Sequence, residues 1–213
     1  MQFVLPLFLG FLASLVGVFP PGIINMTGAK ISTEDGKTRA LLFTVGALIV
    51  VFFQTLIALI FAQYISDHLE IINGLRIIGF LVFSIVTIYF FFVAKKAKKI
   101  KSKKIKIKSK KSRFFLGMFI SAINFFPIPY YVFVSISLAS FNYFVFNAIS
   151  IYSFVIGVVF GSFVVFYSYI YFFKKIETKT DFIVRNMNSI IGSVTGVAAI
   201  IALYQIVKYY FNM

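Results

Sequence analysis

Four polar side chains stand where a sequence tolerates few. Asn25, Gln54, Asn124 and Tyr130 lie in long apolar runs, beside or facing two proline clusters, Phe19-Pro20-Pro21-Gly22 and Phe126-Pro127-Ile128-Pro129. Proline inside a helix removes one backbone hydrogen bond and clashes with the preceding turn, so each cluster predicts a broken helix. A broken helix offers free carbonyls at one end and free N–H groups with a positive dipole end at the other. Such ends can hold a carboxylate and an ammonium group without any charged side chain. The candidate substrate-binding residues are Pro20, Pro21, Gly22, Asn25, Gln54, Asn124, Pro127, Pro129 and Tyr130. Intramembrane amides and hydroxyls also serve as interhelical hydrogen bonds, and prolines as packing kinks, and those readings stay open here.

Other chemistries find little support. The chain has no cysteine, which excludes disulfides, thiol redox steps and cysteine-held metals. His68, the sole histidine, sits in a short polar loop with Asp67 and Glu70, which reads as a solvated loop rather than a metal site. No apolar run carries Asp, Glu, Lys or Arg in its middle, whereas a cation exchanger would keep costly carboxylates there. No nucleophile, base and metal-ligand set clusters at one membrane depth, so no catalytic residue, metal or cofactor is expected, and the chain reads as a non-enzyme.

The elements that must position the candidates are membrane spans. Of 213 residues 61% are hydrophobic and 13% charged, far outside the soluble range. Apolar runs at about 3–28, 40–65, 75–94, 114–139, 144–173 and 187–208 are each long enough to cross a bilayer core of about 30 Å. The expected fold is all-α and polytopic, one transporter domain over 1–213 with six spans. The runs are arranged as a duplication. FLGFLASLVGVFP at 8–20 and FLGMFISAINFFP at 115–127 share Phe, Leu, Gly, Ser, Phe and Pro in register. Phe43 and Gly46 pair more weakly with Phe154 and Gly157, and Arg76–Gly79 with Ser189–Gly192, in the same order. Two halves follow, about 1–94 and 114–213. A helix breaker at one place in each half is the sequence pointer to a transporter's binding site. Glycines at 10, 17, 46, 79, 157, 161, 192 and 196 permit close helix approach, and the Gly157/Gly161 and Gly192/Gly196 spacings suit packing or a homodimer face.

Charge orients the halves. The net charge of +15 comes mostly from KKAKKIKSKKIKIKSKKSR at 95–113, with smaller basic clusters at Lys30, Lys37 and Arg39 and at Lys174, Lys175, Lys179 and Arg185. Cytoplasmic loops carry the Lys/Arg excess, which puts these gaps inside and both termini outside. Three spans per half then make the repeats inverted. The tract Lys95–Arg113 reads as an orientation determinant that attracts anionic lipid headgroups, not as a nucleic-acid site.

The chain resembles the lysine-exporter (LysE) superfamily, including its threonine/homoserine exporter branch. The first span ends in Phe19-Pro20-Pro21-Gly22-Ile23-Ile24-Asn25, Gly36-Lys37-Thr38-Arg39-Ala40 leads into the second span with Gly46, and Gly117–Asn124 runs into the second proline cluster. The family's first motif is usually Pro-Gly-Pro and its fourth-span motif Asn-Pro-Lys. Here Pro20-Pro21-Gly22 and Phe126-Pro127-Ile128 stand instead, without the lysine. The resemblance implies export of amino acids or related small polar metabolites across the bacterial inner membrane, by exchange with protons, and leaves the substrate open. For such a proton relay the spans offer only tyrosines, and the loop carboxylates Glu34 and Asp35 lie near the first break. The alternative is a non-transport membrane protein, an assembly or lipid-handling factor.

Overall fold

A computed structural model describes residues 3–93 and 109–210. Residues 94–108 of the basic tract, expected to meet lipid headgroups, lie outside the described residues, as do the side chains of Arg76, Lys174, Lys175, Lys179 and Arg185. Every described element is helical: α1 (Val4–Val18), α2 (Ile23–Glu34), α3 (Lys37–Asp67), α4 (Leu69–Ile88) with a π-helical turn at Tyr89–Val93, α5 (Lys110–Ile123), α6 (Pro127–Ser140) and α7 (Ala148–Tyr210). The chain forms two compact units, Met1–Tyr64 with Lys103–Thr178, and Ile65–Ser102 with Lys179–Met213.

In the first unit both proline clusters end a helix. Pro20 and Pro21 have no N–H to continue α1, so it stops at Val18, and extended Gly22 begins α2 with a bend of 77°. The second break falls before its prolines, at Asn124–Phe126, with a bend of 60° between α5 and α6. Pro127 and Pro129 occupy the first turn of α6, where a missing N–H costs nothing. The expected interruption at 127–129 is therefore a helix start. At the far end of α2 the chain turns through Gly36 at φ 93°, and at the far end of α6 through Asn142 at φ 61°, residue types that tolerate the left-handed region.

Packing in this unit is reciprocal. A Cβ on Gly10 of α1 would strike the Phe154 carbonyl of α7, and one on Gly117 of α5 would strike the Phe43 carbonyl of α3. A Cβ on Gly157 would strike Leu7, and one on Gly46 would strike Phe114. The shift that pairs Gly10 with Gly117, and the slightly larger one that pairs Gly46 with Gly157, turn each contact into its partner contact. Likewise α1 packs on α6, and α2 on α5. Small side chains at these crossings let the backbones touch, which is how helices associate without a hydrophobic drive from water.

Small polar side chains lie inside the first unit and large apolar ones outside, a distribution compatible with a membrane protein. Ser14, Thr44, Thr55, Ser121, Ser135, Ser150 and Ser153 are buried, whereas Phe8, Val16, Phe53, Ile57, Phe115, Phe119 and Phe160 are exposed. Among the described residues two helical stretches, Lys37–Asp67 and Ala148–Phe172, are long and apolar enough to cross a membrane, and up to four if each bent pair counts as one span. The third and sixth expected spans correspond to shorter apolar helical stretches, Gly79–Val93 and Thr195–Tyr204.

Residues 174–186, expected as a loop between the fifth and sixth spans, are helical, within α7. The physical reason is in the sequence: no proline or glycine occurs between Gly161 and Gly192, and Lys, Glu, Thr and Asp change solvation without breaking a helix. In the second unit the hydroxyls of Thr87 and Thr195 are 2.9 Å apart, and a Cβ on Gly192 would come within 2.9 Å of the Phe91 ring. Gly79, its expected counterpart, faces open space, so this third pairing shows no reciprocity.

Candidate functional site

The two breaks make the site, and the carbonyls they free determine its geometry. At the first break Phe19 N–H still reaches the Leu15 carbonyl at 3.1 Å, the last helical bond of α1. Beyond it the carbonyls of Val18 and Pro20 accept from Asn25 Nδ2 at 2.7 and 2.9 Å. The Phe19 carbonyl accepts from the Tyr169 hydroxyl of α7 at 2.8 Å. Asn25 sits in the first turn of α2, so the helix after the break carries the group that caps the helix before it. Asn25 and Tyr169 are both buried.

At the second break the donor comes from another helix. Gln54 of α3 gives its Nε2 to the carbonyls of Ser121 at 3.1 Å and Asn124 at 2.9 Å. Asn124 itself caps α5, its N–H on the Ser121 carbonyl. The α6 side is closed by the Phe125 carbonyl on Ile128 N–H and the Phe126 carbonyl on Tyr130 N–H. Two polar atoms remain over: Gln54 Oε1 and Ser121 Oγ are buried and make no hydrogen bond. An unmet buried acceptor costs about 1–3 kcal/mol, and a polar guest at the break would recover it.

Tyr130 ties the two breaks together. Its hydroxyl donates to the Ala13 carbonyl of α1 at 2.8 Å, and its ring lies where a Cβ on Gly17 would come within 2.6 Å. The first residues after the second break thus rest on the last turns before the first. Of the sequence candidates, Asn25 joins Pro20, Gln54 joins Asn124, and Tyr130 joins α1. Pro21 is buried, Pro20, Asn124 and Pro127 are half-buried, and Gly22 and Pro129 are exposed.

Two features of this unit lie outside the sequence candidates. Tyr169 carries no signal beyond being a hydroxyl in an apolar run. The other is an ion pair between Asp35, which caps α2, and Arg113 in the first turn of α5. These are the only charged side chains buried among the described residues. In the sequence Arg113 looks like the end of a lysine tract and Asp35 like a loop acid.

No group of three or more His, Cys, Asp or Glu among the described residues is placed to hold a metal ion. His68 is exposed, and the side chain of Glu70 lies outside the described residues. An open groove between α3 and α7, lined by Leu48, Phe52, Ile156, Val159, Phe160 and Phe163, is wholly apolar and does not include the break residues. Comparison with protein-family models, with curated proteins and with solved structures returned no match.

Proposed function

We propose that the chain is a secondary transporter that exports amino acids or related small polar metabolites across the bacterial inner membrane. The observation that carries this reading is the pair of bent helices whose freed carbonyls are gathered by Asn25, Tyr169 and Gln54 and joined through Tyr130. Irregular backbone at membrane depth is tolerated only where protein or a polar cavity satisfies it, and transporters bind substrate at such places. The break donors would hand those carbonyls to a substrate ammonium, with Gln54 Oε1 and Ser121 Oγ taking further N–H groups.

The reciprocal glycine crossings support two inverted repeats, each contributing a bent pair and one long span. The third span of each repeat would be the shorter apolar helical stretches Gly79–Val93 and Thr195–Tyr204. In this arrangement the lysine tract faces the cytoplasm and both termini face outward. The resemblance to the LysE superfamily points the same way on substrate class.

A second reading has its own observation. Asn25, Gln54 and Tyr130 are all engaged with backbone carbonyls, as purely structural polar groups would be. Under that reading the chain is a static membrane assembly or lipid-handling factor. Efflux of labelled amino acids, screened as a panel in cells expressing the chain, separates the two: a transporter lowers the retained pool of at least one member, and a static factor lowers none.

A further inference from the structure

The one buried ion pair among the described residues is poorly built for stability. Arg113 is 2% exposed and the Asp35 side chain is 0% exposed, so both charges have left water. Arg113 Nη2 meets Asp35 Oδ2, yet Arg113 Nε and Asp35 Oδ1 are buried without any hydrogen bond. A buried ion pair compensates its desolvation only when the remaining donors and acceptors are also satisfied. Arg39 completes the cluster. Its Nη1 donates to the Asp35 backbone carbonyl at 2.8 Å, and its Nε is also buried without a partner. Arg113 thus meets the carboxylate of Asp35 and Arg39 the backbone carbonyl of the same residue. The buried Nε donors of both arginines lack an acceptor, a role that an anion would fill.

The cluster also breaks the internal reciprocity. At the shift that pairs Gly10 with Gly117, Arg113 corresponds to Pro6 and Asp35 to Asn142, neither of them charged. The α2–α5 interface, next to the lysine tract, is thus closed by charge, and the reciprocal α1–α6 interface by uncharged residues. A contact that seals only one side of a reciprocal pair, and seals it with an under-bonded arginine, has the properties of a releasable latch.

We propose that the Asp35–Arg113 pair is a latch on the tract-side interface between α2 and α5, and that Arg113 releases Asp35 to take the carboxylate of a transported metabolite. This rests on the transporter reading above. Asp35 is then an internal stand-in for substrate: the same functional group, held on one nitrogen where a mobile carboxylate can use the fork of Nε and Nη2. Arg39 supplies the second guanidinium. Exchange frees α2 from α5 at the end of α2 away from the first break, with the Asp35 carboxylate released to meet the ammonium of an incoming amino acid.

The test uses the full chain purified in detergent, with acetate, methylammonium, chloride and inorganic phosphate as probes at matched ionic strength and unfolding temperature as readout. Acetate should raise the unfolding temperature and methylammonium should not. Asp35→Asn removes the internal competitor and should lower the acetate concentration needed by roughly tenfold, if the latch is closed about nine-tenths of the time. Arg113→Lys keeps the charge but loses the fork, and should raise that concentration at least as much; it also serves if Asp35→Asn does not fold. Acetate acting no better than chloride, or equally on wild type and Arg113→Lys, overturns the proposal. Stabilisation by phosphate or by phosphatidylglycerol nanodiscs, with acetate silent, also overturns it and assigns the cluster to a lipid headgroup. Efflux without acetate binding removes the latch and leaves the transporter; acetate binding without efflux leaves a carboxylate site and removes the transporter.

Discussion

Adding a single methyl group at Gly10, Gly46, Gly117 or Gly157 should damage the first unit through one mechanism, in matched pairs. In each case the new Cβ meets backbone of the facing helix: Phe154, Phe114, Phe43 and Leu7 respectively. A side chain can rotate away, but a carbonyl in a helix cannot, so the two helices must separate. Overpacking of this kind costs about 1–3 kcal/mol per site. For a chain of this size 1 kcal/mol moves the unfolding temperature by about 2–4 °C, so each single Gly→Ala variant should lose roughly 2–12 °C. Gly74→Ala and Gly79→Ala are the controls: nothing lies within 4 Å of either added Cβ, and alanine gains up to about 1 kcal/mol of helix propensity. The double variants carry the finer test. Gly10 and Gly157 act on one crossing of α1 with α7, so the separation forced by one relieves the other, and the pair should fall short of additivity by about 0.5–3 kcal/mol. Gly10 and Gly117 share no partner and should add. Thermal unfolding in detergent, followed by loss of monodisperse protein, reads all of these. Gly10→Ala and Gly117→Ala melting within the range of the two controls would refute the reciprocal crossings.

Two further outcomes follow from the breaks and from the charges. Asn25→Leu and Gln54→Leu each strip two carbonyls of their donor, and each should cost about 1–3 kcal/mol per orphaned group in the same melting assay, with Asn25→Asp no substitute because it cannot donate. Compartment-sensitive reporters fused after residue 105 and at the C-terminus should report opposite sides of the membrane; the same side for both would contradict the inverted topology.

The parts of the fold that were legible in the sequence are those where a residue type has few uses. Proline, glycine and serine in register announced the bent pairs and the close crossings, because nothing else lets a backbone break or touch at those points. Gln54 and Asn25 were visible as amides in apolar runs, but not what they would bind, since an amide serves a ligand and a carbonyl equally well. The helical course of residues 174–186 was hidden because hydropathy measures transfer from water, and a charged helix and a charged loop score alike. Pro127 and Pro129 were visible as breakers, yet a proline ends one helix and starts another with equal ease, and only the extended Asn124 decides where the break falls. Asp35 and Arg113 come from distant segments and meet only because α2 packs on α5. Their significance depends on burial, which a sequence of solvated charges does not display.

If a small polar metabolite crosses between the two breaks, counterflow in proteoliposomes will show it. Vesicles containing the purified chain and loaded with an unlabelled amino acid would be given a trace of the labelled form, across a panel of substrates, for wild type, Pro20→Ala and Pro127→Ala. Each variant restores one N–H at its break, at position 20 or 127, and so allows a further helical bond across it. Wild type should accumulate at least one panel member saturably, and both variants should do so at least tenfold more weakly, with reconstitution unchanged. Accumulation equal to that of protein-free vesicles across the panel, or equal in wild type and both variants, would contradict that path.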